Sequence, residues 1–215
     1  MMDERREATR IAYDTVAAAY AAALPDLAYE APLDRAMIAE VVRELPEGAS
    51  VLDAGCGTGR LLAHLRAERP SLHLVGVDLS EGMLEQASRV ASDVELVGAD
   101  LAALPFADAR FDAVMAWYSV IHTPAEDLSE VFREFARVST SGAPVLVAFQ
   151  VGSGERTVRR AYGRDVNLTA YLHTPSDVAS ALEAADLVIQ ASLVRSPRAT
   201  EAHSQAVVLA RKRVS

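Results

Sequence analysis

Apolar positions change their period part-way along this chain. An alanine-rich segment over about residues 5–24 keeps helical spacing until Pro25, and a second helix is predicted from about Asp34 to Leu45, ending before Pro46 and Gly48. Beyond that point short apolar runs alternate with helical patterns. The runs cover residues 50–53, 72–78, 94–97, 111–116 and 144–151, each apolar enough to be buried on both faces. Helices are predicted after the first run to about Arg69, from Ser80, over residues 125–138 and from Thr174 to about Asp186. In the third of these, Leu128, Val131, Phe132, Phe135 and Val138 share one face. Strand and helix alternating in this order imply right-handed crossovers and a parallel sheet covered on both sides. The last two runs, about 187–194 and 205–210, have no helical pattern between them and are predicted to pair antiparallel.

Composition narrows the class. With 215 residues and 51% hydrophobic positions, the chain suffices for one core, so a single domain is expected. A formal net charge of −9 argues against a nucleic-acid groove, and the basic run Arg211-Lys212-Arg213 reads as a solvated tail. The single cysteine, Cys56, excludes an internal disulfide and any multi-cysteine metal site. The apolar stretches are too short for a membrane span, and no signal-peptide core follows the first residues. A cytoplasmic protein is therefore expected, monomeric or homodimeric, with no metal, membrane or nucleic-acid partner.

Chemistry concentrates where the first strand ends, in Val51-Leu52-Asp53-Ala54-Gly55-Cys56-Gly57-Thr58-Gly59-Arg60. Alternating glycines between a strand and a helix let the backbone approach a ligand closely, and the free N–H groups of the helix start favour an oxygen acceptor. A carboxylate beside that loop would repel a pyrophosphate and suits a ligand that also carries a cationic group. Cys56 reads as a small side chain beside the ligand rather than a nucleophile. Two more acids end the next strands, Asp78 after Val75-Gly76-Val77 and Asp100 after Val97-Gly98-Ala99, so all three should project over one sheet edge. A nicotinamide-binding fingerprint fails, since position 60 is Arg60 and position 62 is Leu62 where glycine is required.

These residues resemble the class I S-adenosylmethionine-dependent methyltransferases of the small bacterial type, over about residues 10–211. The resemblance implies a Rossmann-like α/β fold: a seven-stranded, mostly parallel sheet of order 3-2-1-4-5-7-6 with its last strand antiparallel and helices on both faces. Residues 1–45 would form a helical lid region, 49–151 the cofactor core, 152–175 an acceptor-side insertion, and 176–211 a helix and the C-terminal hairpin. The cofactor implied is S-adenosyl-L-methionine, released as S-adenosyl-L-homocysteine. Its methionine end would meet Asp53, Gly55, Gly57, Gly59, Ala116 and Trp117. Asp78 would take the ribose hydroxyls, while Leu79, Met83, Asp100 and Leu101 would surround the adenine. Tyr13 and Tyr20, on one face of the first helix, become lid contacts.

What the resemblance leaves open is the acceptor. In-line methyl transfer to an O or N atom of a small molecule is the expected reaction; a cofactor-binding but inactive regulatory protein and, behind it, a nicotinamide-dependent oxidoreductase are the alternatives. His122 suits either proton transfer or the ordering of its loop beside Pro124. Tyr118, Gln150, Tyr162, Tyr171 and His173 are candidate acceptor contacts. Arg156, Arg159, Arg160 and Arg164 point either to an anionic acceptor or to solvated charge.

Overall fold

The computed structural model describes residues 2–214; Met1 and Ser215, the ends of the predicted domain, lie outside the described residues. Helix α1 (Met2–Ala23) and helix α2 (Pro32–Glu44) precede strand β1 (Ser50–Ala54). Then follow α3 (Arg60–Glu68), β2 (His73–Asp78), α4 (Glu81–Val90), β3 (Glu95–Gly98) and β4 (Ala113–Trp117). Helix α5 (Leu128–Val138) leads to β5 (Pro144–Gln150), and α6 (Pro175–Glu183) to a C-terminal pair of strands. Between β5 and α6 two further strands, β6 (Glu155–Ala161) and β7 (Arg164–Tyr171), form a separate antiparallel hairpin. The closing strands are β8 (Leu187–Arg195) and β9 (Gln205–Lys212).

The main sheet runs β3-β2-β1-β4-β5-β9-β8, which is the expected 3-2-1-4-5-7-6 once the hairpin is set aside. Strand β9 is antiparallel to both neighbours and the other contacts are parallel. Alternation along the strands fills two cores. Leu52, Val147, Phe149 and Val208 face α5 and α6, where Phe132, Phe135, Val178 and Leu182 lie buried. Val51, Leu146, Ala148 and Val207 face α2 and α3, against Ile38, Val41, Leu62 and Leu65. This double burial explains why β1, β4 and β5 read as continuous apolar runs.

Three expectations need correction. Strand β3 was expected to be buried on both faces, but it is the sheet edge and no residue of it is fully buried. Phe111, expected to open the fourth strand, stands before β4 in an isolated bridge with Ser139, because the Asp112 carboxylate turns back to accept from the Ser50 N–H at 2.9 Å. The helix expected from Ala125 begins at Leu128, behind a 3₁₀ turn started by Pro124. Among the described residues no helix is long and apolar enough to cross a membrane.

Candidate cofactor and acceptor cleft

Strand β1 delivers Asp53 to the carboxyl edge of the sheet, and the chain turns at once through the glycines into α3. The Gly55 and Cys56 N–H groups both donate to the Val77 carbonyl at 2.8 Å, which ties the loop to the end of β2. Gly55 has φ +83°, and a Cβ there would stand 2.2 Å from Cβ of Ser119. Ser119 cannot retreat, because its hydroxyl donates to the Ala54 carbonyl at 2.6 Å. Gly55→Ala therefore combines left-handed strain with a backbone-level clash, a loss of about 2–4 kcal/mol expected in denaturant unfolding. A midpoint unchanged from that of the parent chain would show that the loop and Ser119 can separate freely. Gly59, at φ +79°, caps α3 and lets Ala87 of α4 pack against bare backbone.

The loop opens into a cleft of about 700 Å³. Its floor carries Gly55, Gly57 and Asp78, whose carboxylate is held in place by the N–H groups of Gly57 at 2.8 Å and Ser80 at 2.9 Å. Asp53 is 1% exposed and neither of its carboxylate oxygens has a partner. Burial, reinforced by the Asp78 charge and only partly offset by Arg60, pushes its pKa up to about 8. Helix α1 lies across the opening. Asp14 accepts from the Ser80 hydroxyl at 2.6 Å and the Gly82 N–H at 3.0 Å, and Arg6 meets Asp100 at 2.6 Å. Tyr20 reaches Tyr162 of the hairpin turn, with ring centroids 4.9 Å apart.

At the hairpin end of the cleft, His122 joins α1 to the hairpin. Its Nδ1 lies 2.8 Å from the Thr169 carbonyl and its Nε2 lies 2.7 Å from the Tyr13 hydroxyl. A carbonyl can only accept, so Nδ1 carries the proton and Nε2 accepts from Tyr13. Burial lowers the His122 pKa to about 4, and burial also raises that of Tyr13. This His122 is a neutral pin between three elements.

Residues 51–142 match the family model described as a methyltransferase domain. The chain is 32% identical over 152 residues to a malonyl-[acyl-carrier protein] O-methyltransferase of Dechloromonas aromatica, covering 69% of this chain and 56% of that protein. Over these residues the chain is similar to S-adenosylmethionine-dependent methyltransferases. The chain spans about half the length of the curated relatives it matches. Solved structures share the fold: an S-adenosylmethionine-dependent methyltransferase of Methanosarcina mazei has a TM-score of 0.73 at 18% identity, covering 83% of this chain and 98% of that one. A [4+2]-cyclase has a TM-score of 0.72 at 20% identity, covering 96% of each chain.

The cleft fits such a cofactor on its own evidence: an unpartnered buried carboxylate beside a glycine-lined floor calls for a cation. Of the residues expected from sequence, Tyr13, Tyr20, Gly55, Gly57, Asp78, Leu79, Met83, Asp100, Leu101, Trp117, Tyr118, His122, Gln150 and Tyr162 line the cleft. Several others do not, Asp53 among them, which is buried at the end of β1 just before the glycine loop. Cys56 turns away to pack on Gly76, where an added Cβ would lie 2.9 Å from its sulfur, and burial pushes its thiol pKa up. Ala116 is wholly buried under α5, the opposite side of β4 from Trp117. Gly59 serves the α3–α4 contact. Tyr171 faces Arg5 of α1, and His173 is buried beneath the loop, its Nε2 3.3 Å from the Val120 carbonyl and its ring against Phe149.

Two further groups in the cleft carry little signal in the sequence. Arg60, whose place in the sequence only breaks a nicotinamide fingerprint, lines the cleft and meets buried Glu30 at 2.6 Å. The loop 196–204 between β8 and β9 contributes Glu201 and His203 to the far wall. Its signal in sequence is a cluster of polar residues after β8, indistinguishable there from an ordinary hairpin loop.

Proposed function

We propose that this domain binds S-adenosyl-L-methionine in the cleft and transfers its methyl group to an O or N atom of a small-molecule acceptor. The observation that carries the reading is Asp53, a carboxylate buried without a partner where the methionine ammonium would lie. Bound there, the cofactor supplies a methyl group already activated by its sulfonium. The chain's own residues hold and enclose it. Asp53 takes the ammonium, the Gly55 and Gly57 backbone leaves room for the methionine portion, and Asp78 accepts from the ribose hydroxyls. Leu79, Met83 and Leu101 cover the adenine, with Asp100 at its polar edge.

Residues 1–45 act as a lid region. Tyr13 and Tyr20 close over the site from α1 while residues 152–175 roof the acceptor side, so that bulk water is excluded and the acceptor atom is held in line. Such positioning supplies roughly 7–11 kcal/mol of the barrier. The relatives named as malonyl-[acyl-carrier protein] O-methyltransferases support oxygen as the acceptor atom. Because a [4+2]-cyclase shares this fold, binding and turnover are tested separately. Calorimetry should show S-adenosylhomocysteine binding in preference to NAD, and release of S-adenosylhomocysteine should depend on an added acceptor. Preference for NAD would sink the cofactor assignment, and tight binding without turnover on any acceptor would leave a regulatory protein.

A further inference from the structure

Helix α1 is fastened to the start of α4, directly behind the acid assigned to the ribose. One carboxylate makes the joint. Oδ1 of Asp14 accepts from the Ser80 hydroxyl at 2.6 Å and from the Gly82 N–H at 3.0 Å, while Nη1 of Arg10 donates to its Oδ2 at 2.7 Å. The bare backbone of Gly82 permits this approach, since a Cβ there would stand 3.1 Å from Cα of Asp14. The Gly82 N–H is among those that a helix start leaves without an internal partner, so α4 completes its cap with a side chain from α1. Asp14 does not itself line the cleft.

Ser80 carries the contact inward. It is buried, and each of its polar atoms is committed. The Met83 N–H can only donate, so Oγ of Ser80 accepts there at 3.1 Å and its single hydroxyl proton goes to Asp14. Its carbonyl accepts from the Leu84 N–H at 3.1 Å, and its own N–H donates to Oδ1 of Asp78 at 2.9 Å. Oδ2 of Asp78 accepts from the Gly57 N–H at 2.8 Å. The Asp78 carboxylate is therefore aimed from two sides. On one stands the glycine loop, tied to the Val77 carbonyl; on the other stands Ser80, whose place is set from α1. Each oxygen keeps a further lone pair, and two such oxygens held at a fixed angle suit a pair of vicinal hydroxyls. The other ties of α1 end elsewhere: Tyr13 on His122, Arg6 on Asp100 and Tyr20 against Tyr162.

Resting on the methyltransferase reading above, we infer that Asp14 is a positioning residue for the cofactor's ribose: acting through Ser80, it fixes the angle at which Asp78 meets the 2′- and 3′-hydroxyls. Docking of α1 thereby becomes part of nucleoside recognition. Without the Asp14 carboxylate the Ser80 hydroxyl loses its acceptor and the first turn of α4 loses a cap. The Ser80 N–H then no longer holds Asp78 in one orientation, and the loss falls on the ribose contacts.

Calorimetry on the full chain with S-adenosylhomocysteine and its 2′-deoxy and 3′-deoxy analogues separates this role from plain packing. The parent chain should bind each analogue about 10- to 100-fold more weakly than S-adenosylhomocysteine, because each lacks one hydrogen bond to a charged acceptor. Asp14→Ala should bind S-adenosylhomocysteine about tenfold more weakly and discriminate against the analogues by about threefold or less. Asp14→Asn keeps Oδ1 for Ser80 and Gly82, gives up only the half-exposed Arg10 pair, and should restore both affinity and discrimination. Gly82→Ala presses on the same contact from α4 and should lower discrimination in the same sense, so the test does not depend on one variant folding. In an Asp78→Ala background, adding Asp14→Ala should change S-adenosylhomocysteine affinity less than about twofold. An equal loss for all three ligands in Asp14→Ala shows that Asp14 only packs α1 onto α4, and overturns the inference. So does an Asp14→Ala variant that binds them as the parent chain does. A parent chain that binds all three equally overturns the inference and leaves the methyltransferase reading standing; one that binds none of them overturns both.

Discussion

Asp53→Asn will bind S-adenosylhomocysteine about 100-fold more weakly than the parent chain, yet will resist denaturant better at pH 8. Both effects come from one buried carboxylate without a partner. Its folded pKa is about 8 against an ordinary value of 3.8, and the largest cause is burial. Between those values the folded chain keeps a proton that the unfolded chain has released. Its favourable contribution is full below about pH 4 and is lost as pH rises through about 8, with a limiting slope of roughly 1.4 kcal/mol per pH unit. Asparagine keeps the shape and removes the titration, so the variant's stability should be flatter across this range. A cofactor ammonium reverses the preference by stabilising the ionised form, so binding to the parent chain should release a proton near pH 7. Urea midpoints at pH 5 and pH 8, with calorimetry in buffers of different ionisation enthalpy, measure both. Equal pH slopes for the two chains would show that Asp53 is solvated; undiminished affinity in the variant would remove it from the site.

The part of this site that is legible in sequence is the part set by strand ends. Asp53, Asp78 and Asp100 each follow an apolar run, so their places at one sheet edge follow from the period alone, and the glycines between Asp53 and Arg60 mark the turn. Within the loop the same logic fails one residue at a time. Cys56 belongs to the motif but points to Gly76, and Ala116 belongs to β4 but faces α5, because neighbouring residues on a strand or tight turn point opposite ways. The β6–β7 hairpin left little trace. Its two-residue turn is Tyr162-Gly163, both at positive φ (+49° and +77°), where asparagine-glycine would have been an audible signal. A bulge then breaks the alternation of the strand itself. His122 was visible as a candidate, whereas its role was not. Its partners, Tyr13 and Thr169, lie 109 and 47 residues away, and only the assembled fold brings them to both ring nitrogens.

The far wall of the cleft depends on a buried ion network, and Arg195→Met should cost about 3–5 kcal/mol of stability at pH 7. Arg195 forks onto Asp34, with Nε and Nη2 at 2.8 and 2.6 Å, and onto Glu201, with Nη1 and Nη2 at 2.6 and 2.8 Å. Side-chain exposure is 9% for Arg195, 0% for Asp34 and 8% for Glu201, so removing the guanidinium strands Asp34 away from water and leaves Glu201 to Arg198. Asp34 sits in the first turn of α2 and Glu201 in the 196–204 loop, which Arg198 also clasps through Glu201 while stacking on Tyr29. Hydrogen bonding by Arg195 holds the Glu201 pKa down to about 2. A depressed carboxylate contributes stability above its ordinary pKa of 4.5 and loses it as pH falls through about 2. In Arg195→Met that contribution is reduced to what Arg198 supplies, so the deficit against the parent chain should be largest near neutrality and shrink at acid pH as Glu201 protonates. Adding Asp34→Asn and Glu201→Gln to the variant should recover most of the loss, because the cost lies in uncompensated charge rather than in the absent ion pair. Guanidinium is unsuitable as the denaturant since it screens charge; urea unfolding at pH 7 and pH 4 gives the comparison. A deficit below about 1 kcal/mol at pH 7 would place Arg195 among ordinary surface ion pairs and leave the wall to be held by backbone contacts alone.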